Sequence, residues 1–507
     1  MLRFLKNKIF LIFAFALFLR LYGITHGFPF IYHVDEPALV RSAYNIRFDP
    51  NPHHFDWPHL YFYLNFLLYA VVYVLRVVVN TLGIRLLVEG SFPLLYKDPL
   101  IFYFLSRILS AFIGALTLIP LYMAVKELFN KNTALLAAFA LAVFPHHVHA
   151  SHFALIDVPA TFFLTWVLYF STKIYKTFDK KYFVLASLFS GFAASTKYNG
   201  GLAFLSVILA FIFYLFKIKD FSGYFIRKNL ALPIVSIVFL VVGFFIGTPY
   251  ALLDFKTFVR TDSPKGAFWQ FKNVGKVTIE EYLPQLYNAV TNKYLFDFGV
   301  TYTFLFFVFV IYSLARFKDF NNLLFSIPGV IIFLYISTFD KNRIHYYMVS
   351  YPFICAGVAI AYFKAERHIQ SLRLDKRLIL ITKSLFFLLV FALPFYLAID
   401  RSVVLARKDS RNVAYEWLLK NMKPGQPIYY QGQDMEQPLL DLPVKPKKLK
   451  SDLEINKVPV GALVIITENK VLEDENQYLK NKVRLNLIFF ESGVGTQGPF
   501  VYVFEVT

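Results

Sequence analysis

The chain has 507 residues, of which 57% are hydrophobic and only 17% are charged. A mean hydropathy of +0.52 is typical of a membrane protein, and an aromatic share of 19% excludes a disordered, collagen-like or coiled-coil chain. The single cysteine, Cys355, excludes an intramolecular disulfide and a cysteine-ligated metal cluster. A net charge of +19 would suggest a nucleic-acid partner in a soluble protein, but cytoplasmic loops of membrane proteins are also rich in Lys and Arg. We therefore expect no nucleic-acid partner.

The N-terminal segment predicts a first membrane span with its start in the cytoplasm. Basic residues within Met1–Lys8 precede the apolar run Ile9–Phe18, and no small-residue cleavage site follows that run, so we expect the segment to be retained. Later apolar runs have about the 17 to 25 residues that a span requires. They lie near 101–125, 133–150, 154–172, 182–196, 200–216, 229–248, 298–315, 322–339, 345–363 and 378–398.

Charge assigns the connections to the two sides of the membrane. Every second connection is short and mostly basic, and we place these in the cytoplasm: Lys126–Asn132, Lys173–Lys181, Lys217–Asn229, Arg316–Asn322 and Lys364–Arg377. The alternate connections then face outside, including the long loop 250–297 and everything after Asp400. An even number of crossings is required within residues 59–100, where Leu60–Val79 can span. We predict a polytopic α-helical protein of the plasma membrane with 11 to 13 spans.

Two external regions are predicted outside the membrane. The first external loop covers residues 23–58, and the tail from about residue 401 to 507 forms a small domain after a membrane domain of residues 1–400. In the tail, apolar positions at helical spacing predict a helix over Ser410–Asn421, ended by Pro424-Gly425. Strand-like runs follow at Pro427–Tyr430, Ala462–Thr467, Leu485–Phe490 and Phe500–Val506. The tail is therefore predicted to be an extracytoplasmic α/β cap.

Three carboxylates are the candidate catalytic groups. Asp35 and Glu36 follow the first span, and Asp157 opens a later apolar run. Carboxylates at membrane depth are costly and tend to face a cavity or a pathway. The charge pattern puts all three on the outer face, where they could supply a general base and the groups that orient it. The alternative is that Asp35-Glu36 is a solvated pair or helix cap and that Asp157 caps its own helix.

Five cations on the same face are candidates for binding a lipid phosphate: Arg41, Lys197, Lys341, Arg343 and His345. Arg and Lys make charge-assisted hydrogen bonds to phosphate oxygens. The alternative is that Lys197 and Arg343 only extend from helix ends into water.

Histidines cluster in two places, at His146, His147, His149 and His152 and in the first loop at His53, His54 and His59. Neutral imidazoles ligate transition metals. No matching carboxylate accompanies these histidines, so we favour an interfacial role. A divalent metal ion is the less favoured alternative, and we assign no cofactor.

Several motifs in order along the chain resemble a known superfamily. They are Asp35-Glu36, Trp57 to Tyr61, Arg107 with Gly114, Ala154 to Pro159 with Phe162-Phe163, Thr196 to Gly200, Gly247 to Asp254 and Arg343 to Pro352, and in the tail Asp409, Arg411, Ala414, Trp417, Asn421, Pro424-Gly425 and Gly498-Pro499. Their order resembles the GT-C membrane glycosyltransferases, in the branch of the protein O-mannosyltransferases and lipid A aminoarabinose transferases (glycosyltransferase families 39 and 83).

The resemblance implies a GT-C fold and an inverting transfer of a hexose or pentose from a polyprenyl-phosphate donor. The acceptor on the outer face would be a lipid, glycan or protein, and no nucleotide would be needed. Asp35 would act as general base, with Glu36 and Asp157 supporting it. Candidate substrate contacts are His59, Tyr61, His152, Tyr198 and Tyr250. We expect the acceptor to contact the loop 250–297, with Trp269, Tyr282 and Tyr287, and the cap.

The chain departs from the family pattern at two positions. Some relatives have Lys where this chain has Trp57 and Arg where it has His152, so the phosphate-binding role would fall to Arg343, Lys197 or a first-loop histidine. The main alternative function is a polytopic transporter or lipid flippase, which predicts two similar halves and charges near mid-membrane. A third alternative is a scaffold or an inactive relative.

Overall fold

The computed structural model is mostly helical and describes residues 8–81, 94–95, 98–218, 231–294, 300–372, 375–432, 435–450, 452–468, 485–491 and 495–507. In the first half the helices are α1 Lys8–Leu21, α2 Glu36–Asn45, α3 Leu60–Thr81, α4 Leu100–Leu116, α5 Leu118–Leu128, α6 Lys131–Ala142, α7 Pro145–Ala150, α8 Asp157–Thr177, α9 Lys180–Thr196, a 3-10 turn Tyr198–Ala203, and α10 Phe204–Ile218. Two short strands, β1 Leu94–Leu95 and β2 Asp98–Pro99, pair antiparallel.

The second half begins with α11 Ala231–Gly247 and continues through four short helices, α12 Tyr250–Leu253, α13 Phe255–Phe258, α14 Ala267–Val274 and α15 Ile279–Asn288. A π-helical turn Ala289–Tyr294 follows. The remaining long helices are α16 Val300–Ala315, α17 Phe320–Ile336, a 3-10 turn Ile344–Ser350 leading into α18 Tyr351–Ser371, and α19 Lys376–Ala406. The predicted loop 250–297 is thus largely helical as far as it is described.

Within the described ranges, five helical segments are long and apolar enough to cross a membrane: Leu60–Val79, Leu100–Leu128, Tyr198–Ile218, Ile344–Ser371 and Lys376–Ala406. Four shorter apolar helices accompany them, namely α6, α11, α16 and α17. The class of polytopic helical membrane protein is therefore confirmed. The number of spans stays a prediction, because parts of the connections at 59–100 and Lys217–Asn229 lie outside the described residues, as do residues 1–7.

One predicted span is interrupted. The apolar run 133–150 predicts a single helix, but α6 ends at Ala142 and α7 begins at Pro145. Phe144 between them is extended, with φ −72° and ψ 111°, because the ring of a proline disfavours a helical conformation in the preceding residue. The break turns the chain before His146 and so sets the position of the histidine cluster. At the other end, α19 continues to Ala406, eight residues past the predicted end of the last span.

Helices α9 and α11 pack backbone to backbone. A Cβ atom on Gly191 would lie 2.3 Å from the carbonyl oxygen of Leu240, and a Cβ on Gly243 would lie 2.4 Å from that of Leu188. Only glycine permits this approach at either position, which explains the pairing of small residues across two apolar helices. Beyond the crossing, Thr248 Oγ1 lies 2.8 Å from Ser195 Oγ and accepts a 3.2 Å hydrogen bond from the His59 N–H. This crossing fixes the end of α9, which directly precedes Lys197.

The tail folds as a helix on a mixed sheet. Helix α20, Ser410–Asn421, has the predicted bounds, and β3 Ile428–Gln431, β5 Leu463–Glu468, β6 Leu485–Glu491 and β7 Phe500–Val506 match the predicted strands within a residue or two. A short helix α21, Glu436–Leu440, a strand β4, Lys447–Lys448, and a 3-10 turn Asp452–Lys457 complete it. The strand order is β4-β3-β5-β7-β6, with β4, β3 and β5 parallel and the pairs β5-β7 and β7-β6 antiparallel.

Alternation along the strands gives this sheet two apolar faces. Leu463, Ile465 and Val503 pack with Ala414 and Leu418 of α20. Their neighbours Val464, Ile466 and Phe504 form a second cluster with Ile455 on the opposite face. The small α/β domain predicted from the sequence is therefore present.

The chain divides into two compact units. The first comprises Met1–Leu21, Leu39–Leu82 and Leu105–Arg401, and the second comprises Tyr22–Ala38, Gly83–Phe104 and Ser402–Thr507. The second unit thus combines the tail with the start of the first loop.

Candidate active site

A buried ion pair forms the centre of the candidate site in the first unit. The Lys197 ammonium contacts the Asp157 carboxylate, and their side chains are only 14% and 8% exposed. Asp157 is the first residue of α8, whose N-cap is Ile156 and has no side-chain cap hydrogen bond. Lys197 follows the last residue of α9 in an extended conformation. Asp157 is therefore an ion-pair partner rather than a helix cap, and Lys197 is held within the protein rather than extended into water.

The 3-10 turn Ile344–Ser350 contacts this pair. The Lys197 Nζ lies 4.7 Å from the centre of the Tyr346 ring, and the Asn199 amide donates to the Tyr346 carbonyl at 3.3 Å. The His345 ring packs edge-on against Tyr346, and Asp157 interacts electrostatically with His345. A cation above an aromatic face is stabilised by the ring quadrupole. The structure thus brings together three of the predicted residues, Asp157, Lys197 and His345, and adds Tyr346.

His146 belongs to the same neighbourhood. Its Nδ1 lies 2.9 Å from the Tyr351 hydroxyl, and it interacts electrostatically with Asp157. The Tyr351 ring stacks on Phe144 at 4.2 Å between ring centres. No sequence pattern predicts the contact between residues 146 and 351. The one sequence signal is Pro145, which interrupts the helix just before His146.

Arg343 is exposed at the start of the same turn. Among the described residues its guanidinium has no hydrogen-bond or ion-pair partner. The nearby Lys341, by contrast, donates to Asn273 Oδ1 at 2.6 Å. Arg343 is thus a cation that does not interact with any described part of the chain, as a phosphate ligand requires.

Asp35 and Glu36 lie in the second unit. Asp35 is half-buried, its backbone N–H donates to His33 Nδ1 at 3.1 Å, and its carboxylate has no hydrogen-bond partner among the described residues. Glu36 is fully buried as the first residue of α2, and the predicted phosphate ligand Arg41 is an exposed residue of the same helix. A carboxylate without a donor keeps its oxygens available for a proton, which suits a general base.

The segment before Asp35 is held by the tail within the second unit. The Tyr32 hydroxyl donates to Asn412 Oδ1 at 2.5 Å, and the Asn412 amide donates to the Phe28 carbonyl at 2.8 Å. The Ile31 N–H donates to Gln437 Oε1 at 3.0 Å. The sequence gives no sign of this docking, which fixes the loop one turn ahead of the candidate base.

His59 has a structural position. Its side chain is fully buried, its ring stacks on Phe55 at 4.7 Å, and its Nε2 donates to the His54 carbonyl at 2.8 Å. Burial lowers the pKa of His59 to about 4, because a low-dielectric environment disfavours the imidazolium. His59 is therefore neutral at physiological pH and supplies no positive charge to a phosphate.

The other predicted substrate contacts are also engaged with the protein. Tyr61 and His152 are fully buried, and His152 Nδ1 lies 2.9 Å from the Val148 carbonyl. The Tyr198 hydroxyl donates to the Phe55 carbonyl at 2.6 Å, and its ring lies 5.1 Å from Phe271. Tyr250 packs with an aromatic cluster around Phe55. Their role in binding substrate stays a prediction.

A second buried cation, which the sequence analysis did not select, lies in α1. Arg20 is fully buried, and its Nη1 donates to the Ala142 carbonyl at 3.2 Å. Its Nη2 donates to the Leu141 carbonyl at 3.3 Å and lies 3.0 Å from His147 Nδ1. These carbonyls lie at the C-terminus of α6, where a cation is favoured. An arginine inside an apolar run was the signal for this contact.

The histidine clusters do not converge on a shared centre. Within the described ranges no group of three His, Cys, Asp or Glu side chains has the arrangement of a metal site. His146, His147 and His152 each contact a different group, as described above. The candidate site is thus built from carboxylates, cations and aromatic rings.

These features define a multi-pass helical membrane protein with a small α/β domain and with charged groups buried at the ends of its apolar helices. Residues 95–258 match the family described as dolichyl-phosphate-mannose-protein mannosyltransferase. No curated protein matches the chain in sequence.

Solved structures identify the fold. The chain is similar to ArnT from Cupriavidus metallidurans bound to undecaprenyl phosphate, with a TM-score of 0.52 and 15% identity over 97% of both chains. It is also similar to the Archaeoglobus fulgidus oligosaccharyltransferase tethered with an acceptor peptide, with a TM-score of 0.50 and 13% identity over 97% of this chain and 74% of that one. The resemblance to the GT-C glycosyltransferases predicted from the motifs is confirmed, and the chain has the GT-C fold.

Proposed function

We propose that this chain is an integral membrane glycosyltransferase that moves a sugar from a polyprenyl-phosphate donor to an acceptor on the outer face of the plasma membrane. The observation that carries the proposal is the GT-C fold over 97% of the chain, together with the mannosyltransferase family match at residues 95–258. The similar ArnT structure contains undecaprenyl phosphate. A lipid phosphate is already a leaving group, so the reaction needs no nucleotide.

In this proposal Asp35 is the general base. Its carboxylate removes the proton from the acceptor nucleophile as that atom attacks the anomeric carbon from the side opposite the phosphate. The bond to the phosphate oxygen breaks, the lipid phosphate leaves with the electron pair, and the anomeric configuration inverts. The carboxylate of Asp35, which has no donor among the described residues, supports this role. Glu36, buried at the start of α2, holds the same turn in place.

The donor phosphate is proposed to bind through Arg343, with Lys197, His345 and Arg41 as the other candidate cations. Positive charge near the phosphate stabilises the negative charge that develops as the bond breaks. Arg343 is exposed and uses none of its donors on the described chain. Asp157 supports this chemistry indirectly, because it holds the Lys197 ammonium beside Tyr346.

The base assignment is tested with purified protein in liposomes that contain a polyprenyl-phosphate sugar and an acceptor extract. Asp35→Asn should abolish release of polyprenyl phosphate, because the amide cannot accept the proton. Asp49→Asn is the matched control, since Asp49 is an exposed carboxylate of the same loop that contacts His53. If Asp35→Asn transfers sugar at the wild-type rate, the proposed mechanism is wrong.

The phosphate assignment is tested through the Michaelis constant for the donor. A charge-assisted hydrogen bond contributes about 1.5 to 3 kcal/mol, so Arg343→Ala should raise the donor KM about 10- to 100-fold. Lys341→Ala is the matched control, because Lys341 is a neighbouring exposed cation that already donates to Asn273. An unchanged KM in Arg343→Ala removes Arg343 from the donor site.

The sugar and the acceptor are identified by mass spectrometry of lipid-linked sugars and surface glycans in cells with the wild-type chain and with Asp35→Asn. The donor should accumulate in the variant, and one class of glycan should lose a residue of the same mass.

A further inference from the structure

Helix α15 presents three different faces. Its length of about 15 Å is half of what a membrane span needs. One face contacts the protein: the Tyr282 hydroxyl donates to the Leu334 carbonyl at 3.1 Å, and the Gln285 amide donates to the Ser337 carbonyl at 2.9 Å. A second face carries an apolar stripe at a spacing of four residues, and Ile279, Leu283 and Tyr287 are 94%, 70% and 72% exposed. Polar residues occupy the third face.

The polar face turns away from the apolar stripe. At 100° per residue, Glu281 and Asn288 lie roughly opposite the stripe, and both are exposed. The helix is well formed in this orientation, because Thr278 and Glu281 make a capping box at its start. A helix with one face on protein, one exposed and apolar, and one exposed and polar is suited to the boundary between lipid and water.

Helix α15 is attached to an apolar helix of the membrane region. Tyr282 contacts the carbonyl of Leu334 in α17, where the side chains of Ile331, Leu334 and Tyr335 are themselves exposed. Helix α17 is one of the shorter apolar helices. The stripe of α15 therefore lies on a helix that is hydrogen-bonded to an element with exposed apolar side chains of its own.

Basic residues precede α15 along the chain and lie on the segment that is hydrogen-bonded to the residues before it. Lys272, Lys276, Lys341 and Arg343 are all exposed, and the Lys276 ammonium lies 5.6 Å from the centre of the Tyr335 ring. Long basic side chains at a membrane boundary extend to the phosphates of lipid head groups. Charge and apolar surface therefore both favour one partner, the lipid surface itself.

The segment that carries Arg343 is tied to this part of the loop. The Lys341 N–H donates to the Val274 carbonyl at 3.0 Å, and the Val277 N–H donates to the Thr338 carbonyl at 3.0 Å. With the two side-chain contacts of α15, these bonds join residues 274–285 to residues 334–341. The position of α15 in the bilayer thus also sets the position of the turn before Arg343.

We propose that α15 is an interfacial helix, which inserts Ile279, Leu283 and Tyr287 into the outer leaflet and holds the Arg343 segment at the level of the lipid head groups. The second half of the proposal rests on the proposed function, because it gives Arg343 access to a lipid-borne phosphate. The first half concerns membrane binding alone and is tested without any activity.

The depth of the helix is measured with nitroxide spin labels in nanodiscs that hold one copy of the chain in phosphatidylcholine and phosphatidylglycerol. The 507-residue chain offers a simple background, because Cys355 is its only cysteine and Cys355→Ala removes it. A label at Leu283→Cys should collide readily with oxygen and poorly with a water-soluble nickel complex. A label at the matched exposed position, Asn288→Cys, should show the opposite preference.

Equal access of the nickel complex to both labels would overturn the interfacial assignment. Equal access is also expected if the stripe binds a second copy or a protein acceptor, because the disc contains neither and the stripe would then face water. This result would not depend on whether the chain transfers sugar, so it is distinguishable from failure of the proposed function.

The link to Arg343 is measured with a label at Lys341→Cys, whose backbone N–H remains available to Val274. Adding Leu283→Glu should remove the stripe from the lipid and make the label at 341 more mobile and more accessible to nickel. Adding Asn288→Glu, the control, should leave both properties unchanged. An identical spectrum with and without Leu283→Glu would refute the coupling between the helix and the Arg343 segment.

Discussion

The Asp157–Lys197 pair allows a structural role to be separated from a role in binding. Both side chains are largely buried, and the ammonium also lies above the Tyr346 ring. Removing one partner of a buried pair leaves an uncompensated charge and typically costs about 3 to 5 kcal/mol. We expect Asp157→Asn and Lys197→Met each to lower the stability by about 3 kcal/mol, at the lower end because Lys197 keeps some exposure. The double variant should lie within about 1 kcal/mol of the wild type, since it buries no charge.

Unfolding is measured in detergent with a dye that fluoresces when it reacts with a thiol. Cys355 is a single and fully buried cysteine, so the dye reports the opening of the core. The four proteins of the cycle are heated at one rate, and the midpoints are compared. Both single variants should melt several degrees below the wild type, and the double variant should recover most of that loss.

Activity should not recover with stability. If Lys197 binds the donor phosphate, the double variant should melt like the wild type but have a donor KM that stays at least 10-fold raised, as in Lys197→Met alone. Recovery of both properties would mean that the pair is purely structural. Additive losses of stability would refute the ion pair itself, because two uncoupled sites sum their effects.

Three further predictions concern stability. The pKa of His59 rises from about 4 when folded to its ordinary 6.5 when unfolded, so its contribution is complete above pH 6.5 and is lost as the pH falls toward 4. Lowering the pH from 7 to 5 should cost about 2 kcal/mol through this group, and His59→Gln should show a weaker pH dependence in the dye assay. Gly191→Ala should lower the stability by about 1 to 3 kcal/mol by forcing α9 and α11 apart. Gly201→Ala should cost less, because its Cβ would lie 3.3 Å from one side-chain atom rather than 2.3 Å from a backbone carbonyl. Tyr351→Phe should cost about 1 kcal/mol, the worth of its hydrogen bond to His146, and the loss should disappear in a chain that already lacks the His146 imidazole.

Local patterns predicted much of the fold. The spacing of Val413, Ala414, Trp417 and Leu418 gave α20 with its observed bounds, because helix periodicity and the Pro424-Gly425 stop are properties of adjacent residues. The apolar runs predict most of the long helices, because an apolar run is likewise a property of adjacent residues. The prediction of a single helix over 133–150 was wrong, because it followed the apolar composition of the run. Pro145 within the run predicts the break that the structure shows. The helices within 250–294 were missed since each is too short for a clear period.

The site depended on contacts that no local pattern contains. The sequence predicts Asp157 as a carboxylate that supports the base and Lys197 as a cation for a phosphate. The structure pairs them with each other across 40 positions of sequence. The sequence motif that contains Tyr346 does not single it out, because an aromatic residue near a helix end is common and its partner is set by the packing of three elements. Arg20 was passed over because its partners are backbone carbonyls, which every sequence has.

The glycine crossing of α9 and α11 has a mechanical consequence. Two backbones in direct contact leave no flexible side chains between them to absorb a displacement, so the two helices move as one rigid body. Thr248 contacts Ser195 at the end of this body. Lys197 follows Ser195 by two residues after α9, and the loop that starts at Tyr250 follows Thr248 by two residues after α11. A rigid-body movement of the loop next to Thr248 would therefore carry Lys197 with it, unless the backbone rotates after Thr248.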